Sequence, residues 1–157
     1  MNLAEYDHGQ QSNRPSAEVS VVVEGAAAIG DTRDAAREFL ESLEAAHGIS
    51  VSSRAVETVQ LVVSELVTNA HKYAPGPCLL TLEADEGMVA VTVWDSSTTL
   101  PLILPPDPAR VGQHGLELVM ALCRSFEAHR EPVGKRLRAT VVLNEEKAGG
   151  AGGRQPS

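Results

Sequence analysis

Four places in this chain carry residue types that can do chemistry in company. Glu65 and Asn69 interrupt its most apolar segment, which runs through Val59, Val62, Val63, Leu66, Val67 and Ala70. A spacing of four puts both on one side of a helix, and Lys72 and Tyr73 continue roughly that side. A carboxylate and an amide beside a core are costly unless they have partners. The amide oxygen can ligate Mg²⁺, a hard ion that prefers oxygen donors. The carboxylate can orient a hydroxyl or water, or take its proton. An ordinary polar helix edge, with Asn69 bonded locally, satisfies the same spacing. Asp95 closes the run Val91-Thr92-Val93-Trp94. Its carboxylate can accept a hydrogen bond from the exocyclic amine of adenine, with Ser96 and Ser97 joining through water, or it can serve as a turn residue. Gly112 and Gly115 bracket the start of a helix. Glycine there lets backbone approach a ligand, and the first-turn N–H groups can point at phosphate; a plain loop-to-helix junction looks the same. No Gly-Lys-Ser/Thr follows, so this is not a P-loop. His114 lies beside that helix start and is a candidate ligand contact. His71, next to Lys72, reads as solvent-exposed. Lys135, Arg136 and Arg138 read as a solvated strand face, or as a cation for phosphates or a partner.

These residues need elements to hold them. Val19 to Glu24 reads as a strand. A helix starts near Gly30, capped by Asp31 or Thr32, and ends at His47-Gly48; Ala35, Ala36, Phe39, Leu40 and Leu43 form its stripe. Ser52 or Ser53 caps the next helix, which bears Glu65 and Asn69 and runs to about Tyr73, where Pro75-Gly76-Pro77 stops it. Leu79 to Glu83 and Met88 to Trp94 read as a hairpin around Asp85-Glu86-Gly87. Residues 96–114 hold four prolines and form a long loop, of the kind that is usually functional. A helix from Gly115 to about Ser125 follows. Phe126 to Glu131 and Leu137 to Leu143 are the last strands. The order predicts an α/β fold: a two-layer sandwich with helices on one face of a mixed, mostly antiparallel sheet. We expect a flexible arm over 1–18, one domain over 19–143 and a disordered, glycine-rich tail over 144–157.

Composition narrows the function. The 157 residues suit one domain, and 21 acidic against 13 basic residues give a net charge of −8. Such a surface disfavours nucleic acid and anionic membranes as partners, yet leaves a small phosphate ligand open, because backbone N–H groups can bind one. Cys78 and Cys123 sit in apolar runs without metal-ligand spacing, and read as two buried thiols in a reducing compartment. The N-terminus has no signal-peptide pattern and no apolar stretch approaches the roughly 20 residues of a membrane span. The expected setting is cytoplasmic.

The chain resembles the ATPase and kinase superfamily of histidine kinases, type II topoisomerases, ninety-kilodalton heat-shock chaperones and mismatch-repair proteins. Within it, the chain is similar to bacterial anti-sigma-factor serine kinases. Ser64-Glu65-Leu66-Val67-Thr68-Asn69-Ala70 carries the likeness most closely, and the order of Asp95 and the glycine-led helix supports it over about residues 25–143. The resemblance implies the histidine-kinase-like ATPase fold, with ATP and Mg²⁺ as ligands. It makes Glu65 the catalytic carboxylate that activates a substrate serine, Asn69 the Mg²⁺ ligand and Asp95 the adenine reader. Residues 98–111 become a lid. Gly112, Gly115 and the N–H groups near Leu116 become a phosphate cradle, with Lys72, Tyr73, His114 and Thr140 as further nucleotide contacts. Ser97 stands where the family usually has glycine, and the final glycine-threonine motif is represented by Gly134-Lys135 with Thr140 further along. The implied function is an ATP-binding anti-sigma factor with protein-serine kinase activity toward an antagonist protein. Its partners would be a sigma factor, that antagonist, and a second copy in a homodimer. The alternative is a nucleotide-dependent binding protein with negligible catalysis.

Overall fold

The structure is a computed structural model and describes residues 17–25, 28–74, 76–97 and 115–144. The elements are β1 (Ala17–Val23), α1 (Ile29–His47), α2 (Ser53–Tyr73), β2 (Cys78–Asp85), β3 (Met88–Asp95), α3 (Gly115–Leu122), β4 (Ser125–Arg130) and β5 (Lys135–Val142). The strands form one five-stranded sheet in the order β1-β2-β3-β5-β4. All four described pairings are antiparallel. The helices pack on one face, giving the two-layer α/β plan that the element order predicts.

Local chemistry sets most boundaries. Ser52 caps α2 by accepting from the Ala55 N–H at 3.0 Å. Gly48 closes α1 in the left-handed region, at φ 65°. Glu86 and Gly87, at φ 51° and 80°, make the tight β2–β3 turn. The N-terminus of α1 departs from expectation. The helix starts one residue earlier, at Ile29, with no side-chain cap from Ala28. Thr32 is therefore inside the first turn, buried, with its hydroxyl donating to the Ile29 carbonyl at 2.6 Å.

The core lies between the layers. Leu40 and Leu43 of α1 and Val59, Val63 and Leu66 of α2 meet Leu80, Leu82, Val91, Val93, Leu137 and Val141 of the sheet. Each such side chain contributes about 1.5–3 kcal/mol on burial. The opposite sheet face is polar over much of its area. There Arg138 pairs with Glu83 and Arg136 with Glu131, both at 3.0 Å. These two arginines do face outward as the sequence implies. Lys135 does not: it is fully buried on the helix side. Cys78 is buried, Cys123 is half-buried, and both are free thiols. Among the described residues no helix is long and apolar enough to cross a membrane.

Candidate functional site

The site is built at one end of the sheet, where α2 finishes. Tyr73 is the last residue of α2, and a short link returns the chain to Cys78 at the start of β2. The register sets Leu79 opposite Trp94, which places Cys78 beside Asp95 at the end of β3. Asp95 in turn lies opposite Lys135 at the start of β5. The end of α2 and these strand ends thus share one edge of the sandwich. His71 pins the helix there, with Nε2 3.0 Å from the Gly25 carbonyl oxygen just after β1. It is half-buried rather than solvent-exposed.

The helix brings its own carboxylate to the start of α3. The Glu65 side chain lies against Gly115, and a Cβ at position 115 would collide with Glu65 Oε1. Glycine is therefore needed at the first residue of α3 for close approach, without any unusual φ. One turn beyond Glu65, Asn69 is half-buried, and its Oδ1 is buried without a hydrogen-bond partner. A buried acceptor left unmet costs about 1–3 kcal/mol. That orphan oxygen fits a hard cation that takes oxygen donors. Among the described residues no group of three His, Cys, Asp or Glu side chains could hold a metal ion. A divalent ion here would accordingly be held by Asn69 together with ligand oxygens and water rather than by a protein cage.

Asp95 is only 1% exposed and is heavily bonded. Its Oδ1 accepts from the Ser97 N–H at 2.8 Å and from Lys135 Nζ at 3.2 Å. Nζ also stands 2.9 Å from Oδ2. That second approach is an ion-pair distance without hydrogen-bond alignment, so Oδ2 remains a buried acceptor with no donor. The carboxylate also acts on Cys78. Burial first, and the Asp95 charge second, push the Cys78 thiol up to about 11. Gly134 makes the pair possible. It turns the chain into β5 at φ 84°, and a Cβ there would meet the Asp95 backbone and come within 3.0 Å of the Trp94 ring. Trp94 Nε1 holds the same turn by donating to the Val133 carbonyl at 2.8 Å.

The other candidates fall as follows. Leu116 is partly buried and packs against the core behind Gly115. Lys72 is exposed near the end of α2. Tyr73 ends that helix. Gly112 and His114, with the expected lid, lie outside the described residues. Thr140 is not brought to this edge. It alternates with the buried Ala139 and Val141, so it lies on the outer sheet face, where its hydroxyl meets Ser125 Oγ at 2.6 Å. Lys135, of opposite parity on the same strand, is the residue that does reach Asp95, whereas the sequence leaves it between a solvated strand face and a cation for phosphates or a partner. The available signal was parity: Lys135, Leu137, Ala139 and Val141 share one side of β5.

Together these features offer an acid–base carboxylate at a helix start, an unmet amide oxygen one turn away, and a buried acceptor at the adjoining strand end. Comparison with known proteins identifies the family. Residues 26–141 match the family described as Histidine kinase-like ATPase domain. The RsbU and RsbW domains of Rv1364c from Mycobacterium tuberculosis superpose with a TM-score of 0.59 at 20% identity, over 82% of this chain and 32% of that one. The histidine kinase domain of the blue-light activated EL346 kinase from Erythrobacter litoralis gives 0.46 at 21% identity, over 78% of this chain and 63% of the other. The chain thus spans about a third of the mycobacterial chain and less than two thirds of the other. No curated protein matches it. From the match over residues 26–141, the chain belongs to the histidine kinase-like ATPase domain family, with the nucleotide-binding capacity typical of that family.

Proposed function

We propose that this domain binds ATP with Mg²⁺ and transfers the γ-phosphoryl group to a serine of a partner protein, acting as an anti-sigma factor toward a small antagonist. The observation that carries this reading is the contact of Glu65 with Gly115, one helical turn from the unmet oxygen of Asn69. It sets a proton acceptor beside the N–H groups that open α3. Family membership supports the nucleotide, and the resemblance of the Glu65–Asn69 segment to anti-sigma-factor kinases supports the substrate class.

In this mechanism Asp95 accepts from the exocyclic amine of adenine and orients the base. Asn69 would hold Mg²⁺ through its amide oxygen, and the ion would supply neutralisation of the phosphate charge. The first-turn N–H groups of α3 face the phosphates and favour anionic oxygen there. Glu65 takes the proton of the substrate serine hydroxyl as its oxygen bonds to the γ-phosphorus. The bond from that phosphorus to the β,γ-bridging oxygen breaks, and ADP leaves. Positioning and charge neutralisation supply most of the acceleration.

Calorimetry with ATP, with and without Mg²⁺, on the native chain tests the nucleotide step. Phosphate transfer to a serine of the antagonist tests the chemistry, and Glu65→Ala should abolish it while ATP still binds. Equal transfer by Glu65→Ala overturns the catalytic assignment. Nucleotide-dependent partner binding without transfer would instead mark a nucleotide-gated binding protein.

A further inference from the structure

Asp95 has a role in the phosphoryl-transfer scheme, but Lys135, the partner in its buried ion pair, has none. The two are nonetheless the most heavily desolvated pair of charges described, at 0% and 1% side-chain exposure. Removing one partner of such a pair leaves an uncompensated charge, so the two residues act as a unit. Their geometry is asymmetric. Oδ1 is occupied twice, by the Ser97 N–H at 2.8 Å and by Lys135 Nζ at 3.2 Å. Oδ2 has the ammonium 2.9 Å away, yet no aligned donor.

We propose that Lys135 is a positioning residue of the base site, which fixes the Asp95 carboxylate with Oδ1 engaged and Oδ2 offered as an acceptor, and thereby sets the preference for a purine bearing an amine at its sixth position. This rests on the reading of Asp95 as the base contact. An ionised carboxylate can only accept. An exocyclic amine therefore satisfies Oδ2, whereas the carbonyl oxygen of hypoxanthine meets it acceptor to acceptor. A buried mismatch of that kind discriminates by about tenfold to a hundredfold. Glycine at 134 belongs to the same device, since only a residue without Cβ lets the β4–β5 turn close on Asp95.

The test compares ATP with ITP, which differ in the group at that position and in the proton on the adjacent ring nitrogen, and uses tripolyphosphate as a probe that carries no base. Affinities are measured by calorimetry on the native chain, Lys135→Arg and Lys135→Met. The native chain should prefer ATP over ITP by at least about tenfold. The guanidinium of Lys135→Arg keeps the charge but takes both carboxylate oxygens in its fork. It should preserve the fold, checked by thermal melting, and cut the ATP:ITP ratio about tenfold with tripolyphosphate binding unchanged. Lys135→Met, where it folds, should lose the preference as well. On the native chain, the ammonium NMR resonance of Lys135 should move with ATP and stay put with tripolyphosphate, a readout that needs no variant. A folded Lys135→Arg with an unchanged ratio, or an ammonium signal indifferent to ATP, overturns the role of Lys135 and leaves nucleotide binding intact. Equal native affinity for ATP and ITP overturns it too. Absence of any ATP binding to the native chain instead removes the functional reading on which it rests.

Discussion

The Glu65 carboxylate of α2 lies against Gly115, the first residue of α3, in the space that any larger side chain at 115 would need. The contact is made by the flexible end of a side chain rather than by backbone. Gly115→Ala should therefore displace Glu65 without disturbing the fold. Alanine is also the better helix former, by up to about 1 kcal/mol. The expected outcome is a melting temperature equal to or above that of the native chain, with serine phosphorylation at least about tenfold slower, since a small misplacement of a reacting group is costly. Native rates in a stable Gly115→Ala protein would show that Glu65 works from another position, or not at all.

Asn69 offers a second separation of stability from ligand binding. Its Oδ1 is buried without a donor. Truncating it removes an unmet acceptor, so Asn69→Ala should cost little stability in the absence of ligand, within about 1 kcal/mol by urea unfolding. ATP affinity in Mg²⁺ should nevertheless fall about tenfold or more, and the Mg²⁺-dependent increment should vanish. A variant that still gains affinity from Mg²⁺ as the native chain does would remove Asn69 from the metal site.

Much of this edge was legible in the sequence because helical periodicity is a strong signal. The apolar stripe of α2 made Glu65 and Asn69 stand out, and Ser52 and Gly48 punctuate the chain as their chemistry requires. The strand residues were harder. Lys135, Arg136 and Arg138 look alike as a basic run, but the period of two sends Lys135 inward and the arginines outward. Composition alone favours exposure for all three. Burial of Lys135 is decided by the Asp95 carboxylate directly across the ladder, and cross-strand register is not visible from one strand. The same alternation carries Thr140 to the outer face, away from Asp95. The α1 terminus was missed for a local reason: Thr32 uses its hydroxyl on the Ile29 carbonyl instead of capping.

Gly134 should be intolerant of substitution. It combines φ 84° with a space already filled by the Asp95 backbone. Unlike the neighbour of Gly115, this one cannot swing aside. Gly134→Ala is expected to lose about 2 kcal/mol or more of unfolding free energy, through backbone strain and displacement of the β4–β5 turn. Urea midpoints read this directly, and an unchanged midpoint would mean that the turn relaxes freely.

The two thiols predict how stability responds to alkali. Burial, aided by the Asp95 charge, raises Cys78 to about 11, and burial alone raises Cys123 to about 11. In the unfolded chain both release their protons nearer the ordinary value of 9.0. Between those limits the unfolded state holds fewer protons than the native one, so unfolding becomes easier as pH rises. The stabilising contribution is complete below about pH 9 and is lost progressively toward pH 11. Other groups titrate in the same window, so the measurement is a comparison: urea unfolding from pH 8 to 11 for the native chain and for Cys78→Ala/Cys123→Ala. The native curve should fall more steeply, and its thiols should alkylate about a hundredfold more slowly at pH 8 than a free cysteine, in line with their smaller thiolate fraction. Parallel curves with rapid alkylation would place both sulfurs in contact with water. That would contradict the packing of Cys78 beside Asp95, on which the whole strand-end row depends.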